Sequence, residues 1–153
     1  MTTRLLLKLA ALPWRDRLLL AEAAVLLGAA RLAVLTVPFR WLVAAKARES
    51  APDSPARPEE CQRDTIGRVR WAVGAASRRT PWNSNCLAQA LAARRMLGRR
   101  GIGSILHLGL RKGERGRLEA HAWLRCGDLP VTGGRGHEDY AVVGSFPGGE
   151  LAR

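Results

Sequence analysis

Residues 80–97 read TPWNSNCLAQALAARRML, and this stretch decides the fold. Residues 80–85 are turn and capping types, whereas residues 87–97 favour a helix, so Cys86 is predicted in the first turn of that helix. There, unpaired backbone N–H groups and the positive end of the helix dipole favour the thiolate over the thiol. The position suits a cysteine nucleophile. The alternative is a small buried apolar residue, which is how most lone cysteines behave.

A base for this cysteine is offered by the segment Glu119-Ala120-His121-Ala122-Trp123, which alternates like a strand. His121 can take a thiol proton if the strand brings it to the helix start. Two further histidines are present. His107 lies on the preceding predicted strand and is interpreted as structural, whereas His137 lies in a glycine-rich loop and is interpreted as solvated.

Composition limits the class of protein. The chain has 153 residues, 47% of them hydrophobic and 25% charged, which is typical of one globular domain. Its net charge of +12 attracts acidic partners. A nucleic-acid-binding module would combine clustered arginines with stacking aromatic residues, and the five tryptophans are scattered instead. Nucleic acid is therefore not the predicted partner.

The cysteine pattern indicates the compartment. The three cysteines, Cys61, Cys86 and Cys126, show neither a paired spacing nor matching histidines. This argues against a disulfide framework and against a structural zinc site. We predict a cytoplasmic protein that uses no metal and no cofactor.

The N-terminal region is apolar but interrupted. Residues 18–39 contain Glu22 and Arg31, and a central charge opposes insertion across a bilayer, so no spanning helix is predicted. No small-residue cleavage site follows residues 4–12, so no signal peptide is predicted either. Peripheral contact with a membrane, or with the apolar groove of a partner, stays open.

The chain divides into three predicted parts. Residues 1–47 form a helical segment broken near Pro38, residues 48–58 a proline-rich linker, and residues 59–153 the main domain. In that domain, helices over 59–78 and from Cys86 precede an antiparallel meander of four predicted strands, at residues 104–111, 118–125, 129–132 and 140–146. This order predicts an α+β fold.

Several blocks resemble one known family: Trp82 with residues 86–91, then residues 96–102, residues 108–112 and the segment Ala120-His121-Ala122-Trp123. Together, over residues 64–146, they resemble the transglutaminase-like cysteine peptidases that remove the leader in lasso-peptide biosynthesis. The resemblance implies a transglutaminase- or papain-like core, with the cysteine helix packed on an antiparallel sheet and an N-terminal helical extension.

The same resemblance implies partners. Nothing before residue 64 looks like the small leader-recognition module of this family, which implies the form that works with a separate leader-recognition protein. A precursor peptide is the implied substrate. An ATP-dependent macrolactam synthetase is the implied next enzyme.

The resemblance implies that Cys86 is the nucleophile and His121 the general base. Asn85 and Trp82 are candidate oxyanion donors, as is Asn83, although all three are also ordinary turn residues. The family pattern expects an acidic residue about a dozen positions after the histidine, where this chain has Thr132 and Gly133. Thr132 is a weaker candidate to orient the imidazole, through its hydroxyl or through a backbone carbonyl nearby, and Asp139 is another.

Two other functions remain open at this point. The first is a related acyl transfer, in which an amine instead of water attacks the thioester. The second is a degenerate peptide-binding module without catalysis, which the missing carboxylate makes plausible.

Overall fold

The computed structural model describes residues 11–38, 41, 60–81 and 85–148. Within these ranges the chain forms three α-helices and four β-strands. The helices are α1 (Trp14–Thr36), α2 (Glu60–Ser77) and α3 (Cys86–Gly98). The strands are β1 (Ser104–Lys112), β2 (Leu118–Cys126), β3 (Leu129–Thr132) and β4 (Ala141–Gly148). The predicted α+β arrangement is confirmed.

Helix α1 is bounded by two prolines. The carbonyl of Pro13 accepts from the backbone N–H groups of Asp16 and Arg17, at 3.0 and 3.1 Å, so it closes the first turn. The helix ends at Thr36, and the N–H of Val37 donates to Ala33 O at 2.8 Å. Pro38 cannot continue it, because proline disfavours the helical conformation in the residue before it. Residues 1–10 and 42–59, with the rest of the predicted helical segment and the linker, lie outside the described residues.

The four strands form one antiparallel sheet in the order β3-β2-β1-β4. Strands β1, β2 and β3 follow each other as the predicted meander, but β4 pairs with β1 instead of β3. The meander prediction is therefore wrong for the last strand, and the topology is a Greek key. The connection between β3 and β4, residues 133–140, has to pass from one edge of the sheet to the other.

The helices cover one face of the sheet, here called the inner face. Paired residues of β1 and β2 lie on the same face, so Leu106 and Leu124 point together into the core with the helices. The largest fully buried apolar side chains come from every layer: Leu27, Val69, Val73, Met96, Leu97, Leu106 and Leu124. The opposite face, here called the outer face, carries His107, Gly109, His121 and Trp123.

Helix α1 belongs to this core. Leu19, Ala23, Leu27 and Ala30 are buried on one side of it. Its two carboxylates form ion pairs with the rest of the domain: Asp16 Oδ1 lies 2.6 Å from Nη2 of Arg68 in α2, and Glu22 Oε2 lies 2.7 Å from Nη2 of Arg100, in the turn after α3. The predicted boundary between residues 1–47 and 59–153 stays a prediction, although α1 shares one hydrophobic core with the elements that follow the linker.

By length and composition, α1 is apolar enough to cross a membrane, with a mean hydropathy of 2.1 over its most apolar window. This differs from the sequence expectation, because Glu22 and Arg31 are too few to lower the average sufficiently. The buried side and the ion pairs to α2 and to Arg100 nevertheless show how the helix packs within the domain.

Gly109 allows the outer face to close. A Cβ at this position would lie 2.7 Å from the Cβ of Tyr140 and 2.8 Å from Cζ3 of Trp123. Any side chain here would therefore push apart the sheet and the connection that crosses it.

We predict that Gly109→Ala lowers the free energy of unfolding by about 1–3 kcal/mol, because it overpacks this contact. The matched control is Gly103→Ala, since an added Cβ there meets nothing within 4 Å. Urea unfolding followed by circular dichroism measures both variants. Equal losses in the two would contradict the close approach of Tyr140 and Trp123 to the strand.

Candidate functional site

Cys86 is the first residue of α3. The Oδ1 atom of Asn85 accepts a hydrogen bond from the N–H of Ala88 at 2.9 Å, which fixes the start of the helix. Cys86 is half-buried, its thiol is free and it packs against the core. Asn85 thus acts as the helix cap in this structure, and the backbone N–H of Cys86 stays a candidate oxyanion donor at the helix start.

His121 lies on β2, and a backbone carbonyl orients it. Its Nε2 atom is 2.9 Å from the carbonyl oxygen of Gly133. A carbonyl oxygen only accepts hydrogen bonds, so Nε2 must carry the proton and donate. In the neutral imidazole, Nδ1 is then the basic nitrogen. A general base that accepts a proton at Nδ1 requires this tautomer.

Two aromatic rings contact the imidazole of His121. The ring of Trp123 lies 5.9 Å from that of His121 at an interplanar angle of 23°, and the ring of Tyr140 lies 5.1 Å away at 37°. Trp123 is only 3% exposed. Because the buried Trp123 ring stacks on it, the His121 ring has little freedom to rotate away from the Gly133 carbonyl.

Trp123 is surrounded by all three histidines of the chain. His107 stacks on it with ring centres 5.5 Å apart, and its Nδ1 lies 2.9 Å from Ser145 Oγ. His137 lies at the same ring distance and its Nδ1 is 2.8 Å from Gly134 O. His107 is structural in this arrangement. His137 is held by these contacts and is not simply solvated, in contrast to the interpretation from the sequence.

The surroundings lower the pKa of His107. Burial is the largest cause, followed by the positive charge of Arg125 and the nearby His137. Each of these disfavours the imidazolium form. His107 is therefore a neutral, stacked side chain near pH 7 and a poor candidate for the base.

Cys86 and His121 lie toward the same end of the sheet. Helix α3 packs on β1, β2 and β3, and only five residues separate its end from the start of β1. Cys86 therefore lies toward the far end of β1, where Gly109 pairs with His121. Cys86 comes from the inner side, whereas strand alternation places His121 on the outer face with Trp123. Within residues 85–148, no hydrogen bond joins the Cys86 thiol to His121.

The edge of β2 is open at this end. Strand β3 pairs with Leu124, Arg125 and Cys126, and its last partner residue is Thr132. Among the residues that the structure describes, 118–122 of β2 have no strand neighbour on that side. An extended peptide can bind at such an edge, because its backbone groups have no strand partner in the described structure.

The residues predicted as the third member of the site, Thr132 and Asp139, do not bond to His121. Thr132 is 8% exposed, pairs with Leu124, and its hydroxyl has no hydrogen-bond partner among the described residues. Asp139 Oδ2 lies 3.7 Å from Arg111 Nη1 and is well exposed. Neither is bonded to His121, whose partner is the carbonyl of Gly133 in the described structure. Trp82 and Asn83 lie outside the described residues.

Sequence reasoning did not single out Gly133 or Tyr140. A backbone carbonyl near Thr132 was considered as the partner of His121, and the carbonyl found is that of the next residue. The detectable signal was the pair Gly133-Gly134 at the position where the family has its acidic residue. Tyr140 gave no signal, because its place depends on the path of the connection to β4.

Cys126 is a poor candidate for a nucleophile. It lies on the inner face of β2, 1% exposed, and burial raises the pKa of its thiol to about 12. It therefore stays protonated at neutral pH. Within residues 11–38, 60–81 and 85–148, no three His, Cys, Asp or Glu side chains group closely enough to hold a metal ion.

Comparison with known families gives one match. The family model described as the transglutaminase-like superfamily matches residues 24–145, which is most of the chain. The match confirms the predicted fold class, with a cysteine helix on an antiparallel sheet and an N-terminal helix. No curated protein and no solved structure matches.

We predict that Gly133→Ala disturbs the orientation of His121. Gly133 has φ +64°, and an added Cβ would lie 2.5 Å from Ala122 O and 3.1 Å from His121 Nε2. Gly136→Ala is the matched control, because Gly136 has φ +72° and open space around it. Both variants carry the left-handed backbone cost of about 1 kcal/mol in unfolding free energy.

Gly133→Ala is expected to lose further stability and to change the ¹⁵N signals of the His121 ring, which reports the hydrogen bond of Nε2. Gly136→Ala is expected to leave those signals in place. Unchanged His121 signals in Gly133→Ala would show that the carbonyl does not hold the ring.

Proposed function

Because the chain belongs to the transglutaminase-like superfamily, whose members are typically cysteine peptidases or acyl transferases, we propose that it is a cysteine peptidase that removes the leader from a lasso-peptide precursor. The observation that carries the proposal is the bond from His121 Nε2 to the carbonyl of Gly133. It leaves Nδ1 as the basic nitrogen, in a family whose chemistry starts with a thiol.

The proposed reaction begins at Cys86. His121 Nδ1 takes the thiol proton, and the thiolate attacks the scissile carbonyl carbon. The oxyanion is stabilised at the start of α3, where the backbone N–H of Cys86 and the helix dipole favour negative charge. When the C–N bond breaks, the imidazolium gives its proton to the leaving amine. Sγ then carries the acyl group as a thioester.

Hydrolysis completes the cycle. A water molecule attacks the thioester while His121 Nδ1 takes one of its protons, and collapse of the intermediate releases a carboxylic acid. The proton returns to the sulfur of Cys86. The carbonyl of Gly133 supports both imidazole states, since Nε2–H is a donor in each.

A carbonyl dipole stabilises the imidazolium less than a carboxylate does, because it has no net charge. A cysteine site tolerates this better than a serine site, since its nucleophile ionises more easily. The proposed enzyme therefore works as a dyad whose histidine is held by the backbone.

The partners in this proposal come from the resemblance of residues 64–146 to the leader peptidases. They are the precursor peptide as substrate, a separate leader-recognition protein, and an ATP-dependent macrolactam synthetase that uses the released amine. The cytoplasmic location is proposed from the pattern of the cysteines.

We predict that Cys86→Ala and His121→Ala each reduce precursor cleavage by about a thousandfold or more, because each removes one half of the dyad. Mass spectrometry of the precursor incubated with the chain and the recognition protein measures the loss. Cys126→Ala and His107→Gln are the controls, since neither residue belongs to the proposed dyad.

Product masses also separate two reactions. Hydrolysis adds water to the cleaved acyl fragment, whereas acyl transfer would add the mass of an amine. Full activity in Cys86→Ala or His121→Ala would refute the peptidase proposal. Binding of the precursor without any product would favour a peptide-binding module.

A second prediction concerns the pairing of the two side chains. In a Cys61→Ser background, the proposed dyad requires His121→Cys to become linked to Cys86 by a one-carbon bis-thiosulfonate reagent, because the two side chains start from opposite faces of the sheet and must meet around the edge of β2. Ala120→Cys is the matched control, since it is the neighbouring residue and points to the inner face. Peptide mapping by mass spectrometry identifies the linked pair.

Linkage of Ala120→Cys in place of His121→Cys would contradict the dyad. It would show that Cys86 meets β2 only on the inner face. Loss of cleavage in His121→Ala would then have to be attributed to folding, which circular dichroism of the variant measures separately.

A further inference from the structure

Helix α1 has a second face that no described element covers. Its five large apolar side chains there, each between 60% and 70% exposed, are Trp14, Leu18, Val25, Leu32 and Leu35. Positions 14, 18, 25 and 32 follow helical spacing and lie opposite the buried positions 19, 23, 27 and 30. Ala21 and Ala29 are exposed between them. The result is a continuous apolar strip along the helix.

The charged residues of α1 differ in exposure, since its carboxylates are more buried than the arginines of its first turn. Asp16 and Glu22 are three quarters or more buried and are paired with Arg68 and Arg100 of the domain. The exposed charged residues of α1 are Arg15 and Arg17, both in its first turn. The strip is therefore flanked by positive charge on a chain whose net charge is +12.

From this arrangement we infer that the outer strip of α1 binds the surface of an anionic lipid bilayer. Apolar side chains with tryptophan and flanking arginines are the features of helices that lie in the membrane interface. The charge is complementary to acidic headgroups, which attract nearby arginines. The inference is independent of the proposed peptidase reaction.

The helix lies on the membrane and does not cross it. Its inner side forms part of the core through Leu19, Ala23 and Leu27, and its carboxylates are tied to the domain. Crossing would require these contacts to break and Glu22 to enter hydrocarbon, which is costly. Binding in the interface needs only the strip that is already exposed.

The test uses the full chain and vesicles. Flotation with vesicles of phosphatidylglycerol and phosphatidylcholine is compared with flotation with phosphatidylcholine alone. We expect binding to the anionic vesicles, and weaker binding as salt rises from about 0.05 M to about 0.5 M, because salt screens the arginines. Arg15→Gln is expected to weaken binding by about fivefold.

Variants locate the binding face. The double variant Val25→Glu and Leu32→Glu is expected to reduce binding by about tenfold or more, since it places charge in the strip. The matched control is Leu118→Glu with Val143→Glu, whose side chains are 72% and 61% exposed on the sheet. Circular dichroism checks that each variant is folded, and Val25→Ser with Leu32→Ser replaces the first pair if it is not.

Five results would overturn the inference. The first three are no binding to anionic vesicles, equal binding to neutral vesicles, and equal loss in the control pair. The fourth is a lipid-free dimer, seen by sedimentation, that Val25→Glu with Leu32→Glu dissociates. That dimer would assign the strip to a second copy of the chain. Protein that stays in the membrane pellet after an alkaline carbonate wash would indicate a spanning helix and would also contradict it.

Discussion

The hydrogen bond from His121 to the carbonyl of Gly133 is the interaction on which the site depends. It fixes the tautomer of the imidazole and therefore decides which nitrogen is basic. A carbonyl does this with a dipole and no net charge, so the orientation is kept while the stabilisation of imidazolium is reduced. The left-handed backbone at Gly133 is what turns its carbonyl toward β2, and only glycine fits there without a clash.

The Greek-key path of the chain supports that bond. Since β4 pairs with β1, the connection from Gly133 to Tyr140 has to cross the sheet, and it brings Tyr140 and His137 onto the rings of His121 and Trp123. Because β3 is short, no strand in the described part of the chain pairs with residues 118–122 of β2 on that side. The same topology therefore encloses the imidazole and keeps a sheet edge open beside it.

Helix α1 has two apolar sides, and each has a different role. One side completes the core beneath α2 and α3, and its carboxylates are neutralised by arginines of the domain. The other side is apolar and exposed, with positive charge at its first turn. A helix with two apolar sides needs two surfaces to cover them, and the domain supplies one.

The sequence by itself determined the helix start at Cys86, the strand pattern of residues 104–132 and the α+β class, because capping residues and hydrophobic periodicity act over a few neighbouring positions. It also determined the absence of a carboxylate a dozen residues after His121. Only the tertiary structure decided that Gly133 supplies the replacing carbonyl, that Thr132 points away, and that β4 returns to β1. Each of these depends on which strands pair although they are far apart in the sequence. The conformational preferences of neighbouring residues do not decide that pairing.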